Sequence, residues 1–253
     1  MADRYRTFTN GAGANPRAPR SGPTTRVILA DDHGVLREAL RLLLESLGDI
    51  MVVGEATNGR EAVDLAERLK PDVVLMDMAM PGLNGVEATR QLRKRTPAVR
   101  VLMLTGYAQD EQIVEALRAG ASGYLVKSSD VGELQLAIQT VSRGNTYLSS
   151  VLSQGEKAQD YFWRARDPRN RGDDVLSNRE REVLQLIAEG MTNQAIANEL
   201  FISVKTVEAH KAHILTKLNL RNRTDLIRYA LRRGMIGLDS APPDLLGPAQ
   251  VAV

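Results

Sequence analysis

Over the first 145 positions, short apolar runs alternate with stretches that repeat apolar residues at helical spacing. The sharpest run is Val73-Val74-Leu75-Met76, four apolar residues that end on Asp77. Such a run reads as a strand of a parallel sheet, buried on both faces. Similar runs occupy Arg26–Ala30, Met51–Glu55, Val99–Thr105 and Ser122–Val126. Between them, Leu36, Leu40, Leu43, Leu44 and Leu47 mark one helix. Asn58, Asn84 and Asp130 are placed to cap helices that run to about Leu69, Lys94 and Arg143, and another spans Gln109–Ala119. Pro71 stops one of these helices, and Gly120 stands where a C-terminal glycine is favoured. Five strand–helix units predict an α/β domain, a five-stranded doubly wound parallel sheet with helices on both faces.

From Leu176 the pattern is helical throughout. Ser177 and Glu180 form a capping-box signature ahead of Val183, Leu184, Leu186 and Ile187. Thr192, Ser203 and Asn222 are positioned to cap three further helices, the longest running to Leu218. The expected plan is an arm over 1–24, the sheet domain over 25–145, a linker over 146–173, a small all-α four-helix domain over 174–237, and a flexible tail over 238–253. The arm holds Arg4, Arg6, Arg17 and Arg20 without periodicity and reads as a disordered, solubilising segment. The linker is longer than ordinary connections, so the two halves are expected to move relative to each other. Its Tyr161, Phe162 and Trp163 read as a packing patch.

The net charge of +2 conceals an asymmetry. Residues 26–145 carry 14 Lys/Arg against 17 Asp/Glu, and residues 174–236 carry 10 against 7. The acidic half suits a metal or a cationic partner, and the basic half suits a polyanion. The absence of cysteine excludes disulfides and thiolate chemistry and fits a cytoplasmic setting. No apolar run approaches the length of a membrane helix, so no membrane partner is expected.

Loops at the carboxyl ends of parallel strands gather in space. Asp31-Asp32, Asp77, Thr105 and Lys127 all follow strands in that way and should converge. A lone salt-bridged loop aspartate is the bland alternative for Asp77. Three close carboxylates repel unless a cation neutralises them, and oxygen donors suit Mg²⁺. Asp32 and Asp77 are the expected direct ligands, with Asp31 acting through water and the Ala79 carbonyl completing the set. The remaining oxygen of Asp77 could then act as a nucleophile toward phosphorus, with Lys127 stabilising the transferring group. Thr105 could donate to the added phosphoryl oxygens, moving inward and leaving space for Tyr124. His33 reads as a loop residue. A phosphatase with an aspartate nucleophile needs a second acid two residues on, and Ala79 stands there, so an enzyme is not expected.

In the basic half, the helices from Thr192 and from Ser203 read as a helix-turn-helix. With Val207 turned to the core, Val204, Ile214 and Leu218 share its side. Lys205, Ala209, Ala212 and Thr216 then face outward, with Glu208 and His213 at the edges. Lys205, Thr206 and His213 are phosphate candidates, Glu208 could accept from cytosine N4, and Ala209 and Ala212 could meet thymine methyls.

Residues 26–145 resemble the receiver domain of two-component response regulators, a flavodoxin-like fold, at Asp31-Asp32, the run Asp77-Met-Ala-Met-Pro-Gly82, Thr105-Gly106, Tyr124 and Lys127. Ser128 stands where many receivers have proline. Residues 174–236 resemble the LuxR-type helix-turn-helix at Leu176-Ser-Asn-Arg-Glu-Arg-Glu-Val-Leu184, Gly190-Met-Thr-Asn193, Ile196-Ala197, Ile202-Ser-Val-Lys-Thr-Val-Glu-Ala-His210 and Lys217-Leu218. Together they resemble a response regulator of the NarL/FixJ type. The resemblance implies a histidine kinase as phosphoryl donor, Asp77 as acceptor, Mg²⁺ as cofactor, double-stranded DNA as target, a homodimer on DNA or when phosphorylated, and RNA polymerase as a further partner. The alternative is a transcription factor whose receiver answers to a ligand or protein partner without phosphorylation.

Overall fold

The computed structural model describes residues 24–106, 109–152, 157–167 and 175–237. The N-terminal arm with its four arginines, much of the linker and the tail from 238 lie outside these residues.

The first domain runs β1 (Thr25–Ala30), α1 (Gly34–Ser46), β2 (Ile50–Ala56), α2 (Gly59–Leu69), β3 (Val73–Asp77), α3 (Gly85–Arg95), β4 (Arg100–Thr105), α4 (Asp110–Ala119), β5 (Gly123–Val126) and α5 (Val131–Ser142). Polar caps fix the helix starts: Asn58, Asn84 and Asp130 accept from the backbone N–H of Glu61, Glu87 and Glu133 at 3.0, 2.9 and 2.8 Å. Gly120 ends α4 at φ +104°, a conformation open to glycine. Lys70, with φ +46°, closes α2 just ahead of Pro71.

All strands pair in parallel, in the order β2-β1-β3-β4-β5-β6. The sixth strand, β6 (Tyr147–Leu148), corrects the five-strand expectation. Two residues are too short a run to stand out by periodicity. They extend the sheet because the Tyr147 N–H reaches the Ser122 carbonyl at 3.1 Å and the Ser149 N–H reaches that of Tyr124 at 2.9 Å. Glu133 secures the same edge, accepting from Tyr147, Ser149 and the Ser150 N–H at 3.2, 3.0 and 2.6 Å. Burial works against its charge, but the hydrogen bonds from Ser129, Ser150 and Ser149 outweigh it and hold the carboxyl down at about 2.

Side-chain alternation along the strands builds two cores. Ile28, Val74, Met76, Met103 and Tyr124 face α2, α3 and α4. Val27, Leu29, Val73, Leu75, Leu102 and Leu125 face α1 and α5. β3 lies between β1 and β4, and all five of its residues are buried. The linker region contains α6 (Lys157–Arg166), packed on α4. Buried Tyr161 donates to Asp110 at 2.7 Å, while Trp163 is exposed.

The second domain comprises α7 (Asn178–Ala188), α8 (Asn193–Glu199), α9 (Val204–Leu218) and α10 (Arg223–Arg232). The Ser177/Glu180 capping box is present, and Lys217 grips Glu180 at 2.7 Å. Val183, Leu184, Ile196, Val207, Ile214 and Leu226 form its core.

Gly85 begins α3 pressed against the chain that ends β3. A Cβ there would fall 2.0 Å from the Asp77 carbonyl oxygen. Glycine-to-alanine inside an ordinary helix stabilises by about 0.5–1 kcal/mol. Gly85→Ala should instead destabilise, by roughly 1–3 kcal/mol from overpacking. Urea unfolding decides the sign, and a stabilised variant would show that this approach is not tight.

Candidate phosphoacceptor site and nucleic-acid interface

The chain leaves β1 for β2 on one side and later returns to β3 on the other. Ligand crevices of open sheets form where strand order reverses in this way. Asp31 follows β1 and Asp77 ends β3, so both carboxylates lie at that crevice, buried. Asp32 stands at its rim, with 30% of its side chain exposed. Lys127 enters from the end of β5, held there by its N–H on the Thr105 carbonyl at 2.7 Å. Its Nζ lies 2.7 Å from Asp31 Oδ2 and 2.9 Å from Asp77 Oδ1. Asp77 Oδ1 also accepts from the Met78 N–H at 2.9 Å. Arg37 braces the loop by donating to the Asp31 carbonyl at 2.7 Å.

Burial pushes the Asp77 carboxyl up to about 6, with Asp31 and Asp32 adding to the rise and Lys127 opposing it. Burial also works against the Lys127 ammonium, but Asp77 and Asp31 outweigh it and hold that group above its usual range. The site therefore carries an excess of buried negative charge that one lysine does not neutralise.

Donor atoms of Asp31, Asp32, His33 and Asp77 all lie within 4.8 Å of one another. This hard, oxygen-rich set fits a divalent cation. His33 lies in the loop between β1 and α1, as its sequence reading expects. Its Nδ1 stands 3.1 Å from Asp31 and 2.9 Å from Asp32. Ala79, the candidate carbonyl donor, lies half-buried two residues beyond Asp77.

Thr105 ends β4, buried, and its hydroxyl bonds the phenol of Tyr124. Tyr124 is fully buried, with its hydroxyl 4.0 Å from the Met78 sulfur, and burial raises its pKa. The aromatic ring thus already occupies the interior beside Thr105.

On α9, Val207 and Ile214 are buried and Val204 and Leu218 pack partly against them. Lys205, Glu208, Ala209, Ala212, His213 and Thr216 are exposed together. Thr206 is half-buried and its hydroxyl shares a 2.8 Å bond with Ser203, so it belongs to the helix cap as much as to the outer face.

One contact had not been foreseen. Gln185 of α7 is buried against the loop after Asp77. It accepts from the Asn84 N–H and Nδ2 at 3.0 and 2.8 Å and donates to the Met80 carbonyl at 2.8 Å. Glu189 accepts from the Gly82 N–H at 3.0 Å. The available signal was a polar side chain inside the apolar run Val183-Leu184-Gln185-Leu186-Ile187, which needs a partner if buried.

A strand-end aspartate beside an acidic crevice and a half-buried lysine, followed by a helix-turn-helix with an open face, defines a DNA-binding two-component response regulator. Comparison with known proteins agrees. Residues 27–139 match the response regulator receiver domain, and residues 174–230 match the bacterial regulatory proteins of the luxR family. The oxygen regulatory protein NreC of Staphylococcus aureus is 40% identical over 214 residues, covering 83% of this chain and 99% of that protein. The chain belongs to the two-component response regulators with a LuxR-type DNA-binding domain, a family of transcription regulators. A crystal structure of a LuxR-family two-component response regulator from Aurantimonas sp. SI85-9A1 shares 40% identity, covers 54% of this chain and 97% of its own, and has a TM-score of 0.51. RcsB from Salmonella enterica serovar Typhimurium, bound to promoter rprA with the phosphomimetic BeF3-, covers 81% of this chain and 98% of its own at a TM-score of 0.55. At 23% identity that likeness is one of fold. Among the described residues, no helix is long and apolar enough to cross a membrane.

The raised Asp77 pKa has a signed consequence. The folded carboxyl holds its proton more tightly than an unfolded one, whose value is about 3.9. Its stability contribution is full below that value and is lost as pH rises through about 6. In EDTA at pH 8, Asp77→Asn should therefore exceed wild type in stability, by on the order of 2 kcal/mol. The advantage should vanish near pH 4. Equal denaturation midpoints at both pH values would contradict the cause assigned to the shift.

Proposed function

We propose that Asp77 accepts a phosphoryl group from a histidine kinase and that this modification controls DNA binding by the C-terminal domain. The observation that carries the reading is the convergence of Asp31, Asp32, Asp77 and Lys127 on one crevice at the strand ends. An Asp77 oxygen forms the new bond to phosphorus while the donor's bond to phosphorus breaks and its electron pair leaves with the donor. Lys127 meets the charge of the transferring group, and Thr105 offers its hydroxyl to the added oxygens. Asp32 and Asp77 would hold Mg²⁺, with Asp31 acting through water and Ala79 through its carbonyl. When bound, Mg²⁺ supplies charge neutralisation for the transferring group.

On DNA, Lys205 and His213 serve phosphates, Thr206 serves a phosphate from the cap, and Glu208, Ala209 and Ala212 face base edges. Because this face of α9 is open while α7 lies on the receiver, uncovering the helix is not what phosphorylation must accomplish. Pairing of two chains is the better-supported route. A homodimer gains affinity from bivalent attachment without new contacts.

The test is intact mass after incubation with acetyl phosphate and Mg²⁺, on wild type and Asp77→Asn, followed by DNA binding of the same samples. One phosphoryl adduct on wild type, none on the variant, and tighter DNA binding by the adduct are expected. A wild-type chain without adduct under acetyl phosphate and under kinase would favour the reading of a receiver governed by a ligand or protein partner.

Lys205→Ala should weaken binding about equally across DNA sequences and lower the salt-dependence slope by about 1. A change in sequence preference with the slope intact would reassign Lys205 to base contact.

A further inference from the structure

All four helices of the second domain close with one turn geometry. After α7, the Gly190 N–H bonds the Ile187 carbonyl at 3.1 Å and the Met191 N–H bonds that of Leu186 at 3.1 Å. The same pair of bonds runs from Asn219 and Leu220 after α9, and from Gly234 and Met235 after α10. After α8 it runs from the Phe201 N–H to the Asn198 carbonyl at 3.3 Å and from the Ile202 N–H to the Ala197 carbonyl at 3.0 Å. Such a turn needs one left-handed residue, which glycine or asparagine supplies at least cost. Gly190, Asn219 and Gly234 follow that rule at φ +90°, +52° and +65°. Phe201 breaks it at φ +52°, where its Cβ crowds the backbone.

The aromatic ring gives nothing back to the fold. Phe201 is 94% exposed, more than any other large apolar side chain among the described residues. Its neighbours Leu200 and Ile202 pack into the domain core. The turn itself is firm: Arg179 of α7 donates to the Leu200 carbonyl, and Ser203 caps α9 directly afterwards. A bulky residue in a strained conformation, held out into water on a braced turn, stabilises neither the turn nor the core. Strain of this kind gathers at binding sites. The position of the turn names the partner. In a helix-turn-helix the recognition helix presents its N-terminal residues to base edges while the preceding helix crosses the backbone. The turn between α8 and α9 therefore faces the lip of the groove, four positions ahead of Lys205. An apolar ring there suits the apolar parts of a duplex edge, the thymine methyl groups and the deoxyribose carbons.

We propose that Phe201 is a DNA-contact residue, its ring packing on the apolar edge of the duplex at a thymine methyl or a deoxyribose. The proposal rests on the reading of α9 as the recognition helix. The braced turn sets the ring in place beforehand, so little conformational freedom is lost when it meets DNA. The contact is apolar and displaces no counterions. Its mark is therefore a change of affinity at unchanged salt dependence, unlike that of a lysine on a phosphate. The strained turn is the stability cost of a ring that must stand outside the fold. Relieving the strain and removing the contact are one substitution, and the two effects have opposite signs.

The experiment compares full-length wild type with Phe201→Gly, which copies Gly190 and Gly234, and with Phe201→Leu, which keeps an apolar side chain. Binding is measured by fluorescence anisotropy on a duplex that the wild type selects from a random-sequence library. The thermal midpoint of the second domain is measured by calorimetry. Phe201→Gly should bind about 5–10-fold more weakly, the loss expected when part of an aromatic side chain stays in water, with the salt slope unchanged. The same variant should melt at a higher temperature, because glycine fits the left-handed turn. Phe201→Leu should fall between the two in affinity and keep the wild-type midpoint. Weaker binding by a more stable protein is not a result that misfolding produces. On the same duplex with uracil in place of thymine, a smaller further loss in Phe201→Gly than in wild type assigns the ring to a methyl group. An equal further loss assigns it to deoxyribose. Wild-type affinity in Phe201→Gly overturns the proposal and assigns the ring to a protein partner. A lower thermal midpoint overturns it by making Phe201 a packing residue. Failure of the wild type to select any duplex overturns both the proposal and the reading of α9.

Discussion

The structure turns on one electrostatic imbalance: Asp77, at the end of a strand buried on all sides, must keep its charge beside Asp31 and Asp32 with a single lysine for relief. The parallel sheet creates the problem, since only the carboxyl ends of its strands open onto a crevice, and β1 and β3 bring their acids to the same one. Burial lifts the Asp77 carboxyl well above the ordinary range, Asp31 and Asp32 add to the rise, and the Lys127 ammonium that spans Asp31 and Asp77 offsets only part of it. A site that holds uncompensated charge at a structural cost is poised for a cation and for chemistry at the unshared carboxylate oxygen. The same imbalance makes the surrounding loop sensitive, because anything that changes the charge at Asp77 changes what the Met78 N–H, Thr105 and Lys127 can bond.

Much of this was legible in the sequence, and for physical reasons. A run such as Val73–Met76 can be accommodated by few structures other than a two-sided strand. Asn58, Asn84 and Asp130 declare helix starts because their side chains satisfy backbone donors that nothing else reaches. Once five strands were placed, the gathering of their carboxyl ends followed from topology, and Asp31, Asp77 and Lys127 were found together as expected. The outward stripe of α9 followed from the helical repeat alone.

What escaped was whatever depended on packing between distant segments. β6 is two residues long and exists because β5 offers an unpaired edge. α6 is held to α4 by Tyr161 and Asp110, which are 51 positions apart. Gln185 is the instructive case, for a polar residue among Val183, Leu184, Leu186 and Ile187 is an anomaly that periodicity registers but cannot resolve. Its partner lies in the other domain, about a hundred residues away, and only the folded chain discloses it.

The docking of α6 also sets how far the DNA-binding domain can travel. With β6 and α6 fastened to the receiver, Asp167 and Val175 are eight residue steps apart, which limits their separation to at most about 28 Å. Peeling α6 from α4 would raise that limit to 23 steps from Leu152, or about 80 Å. The bond between Tyr161 and Asp110 thus acts as a stop on a cord, limiting how far the second domain can stand from the receiver.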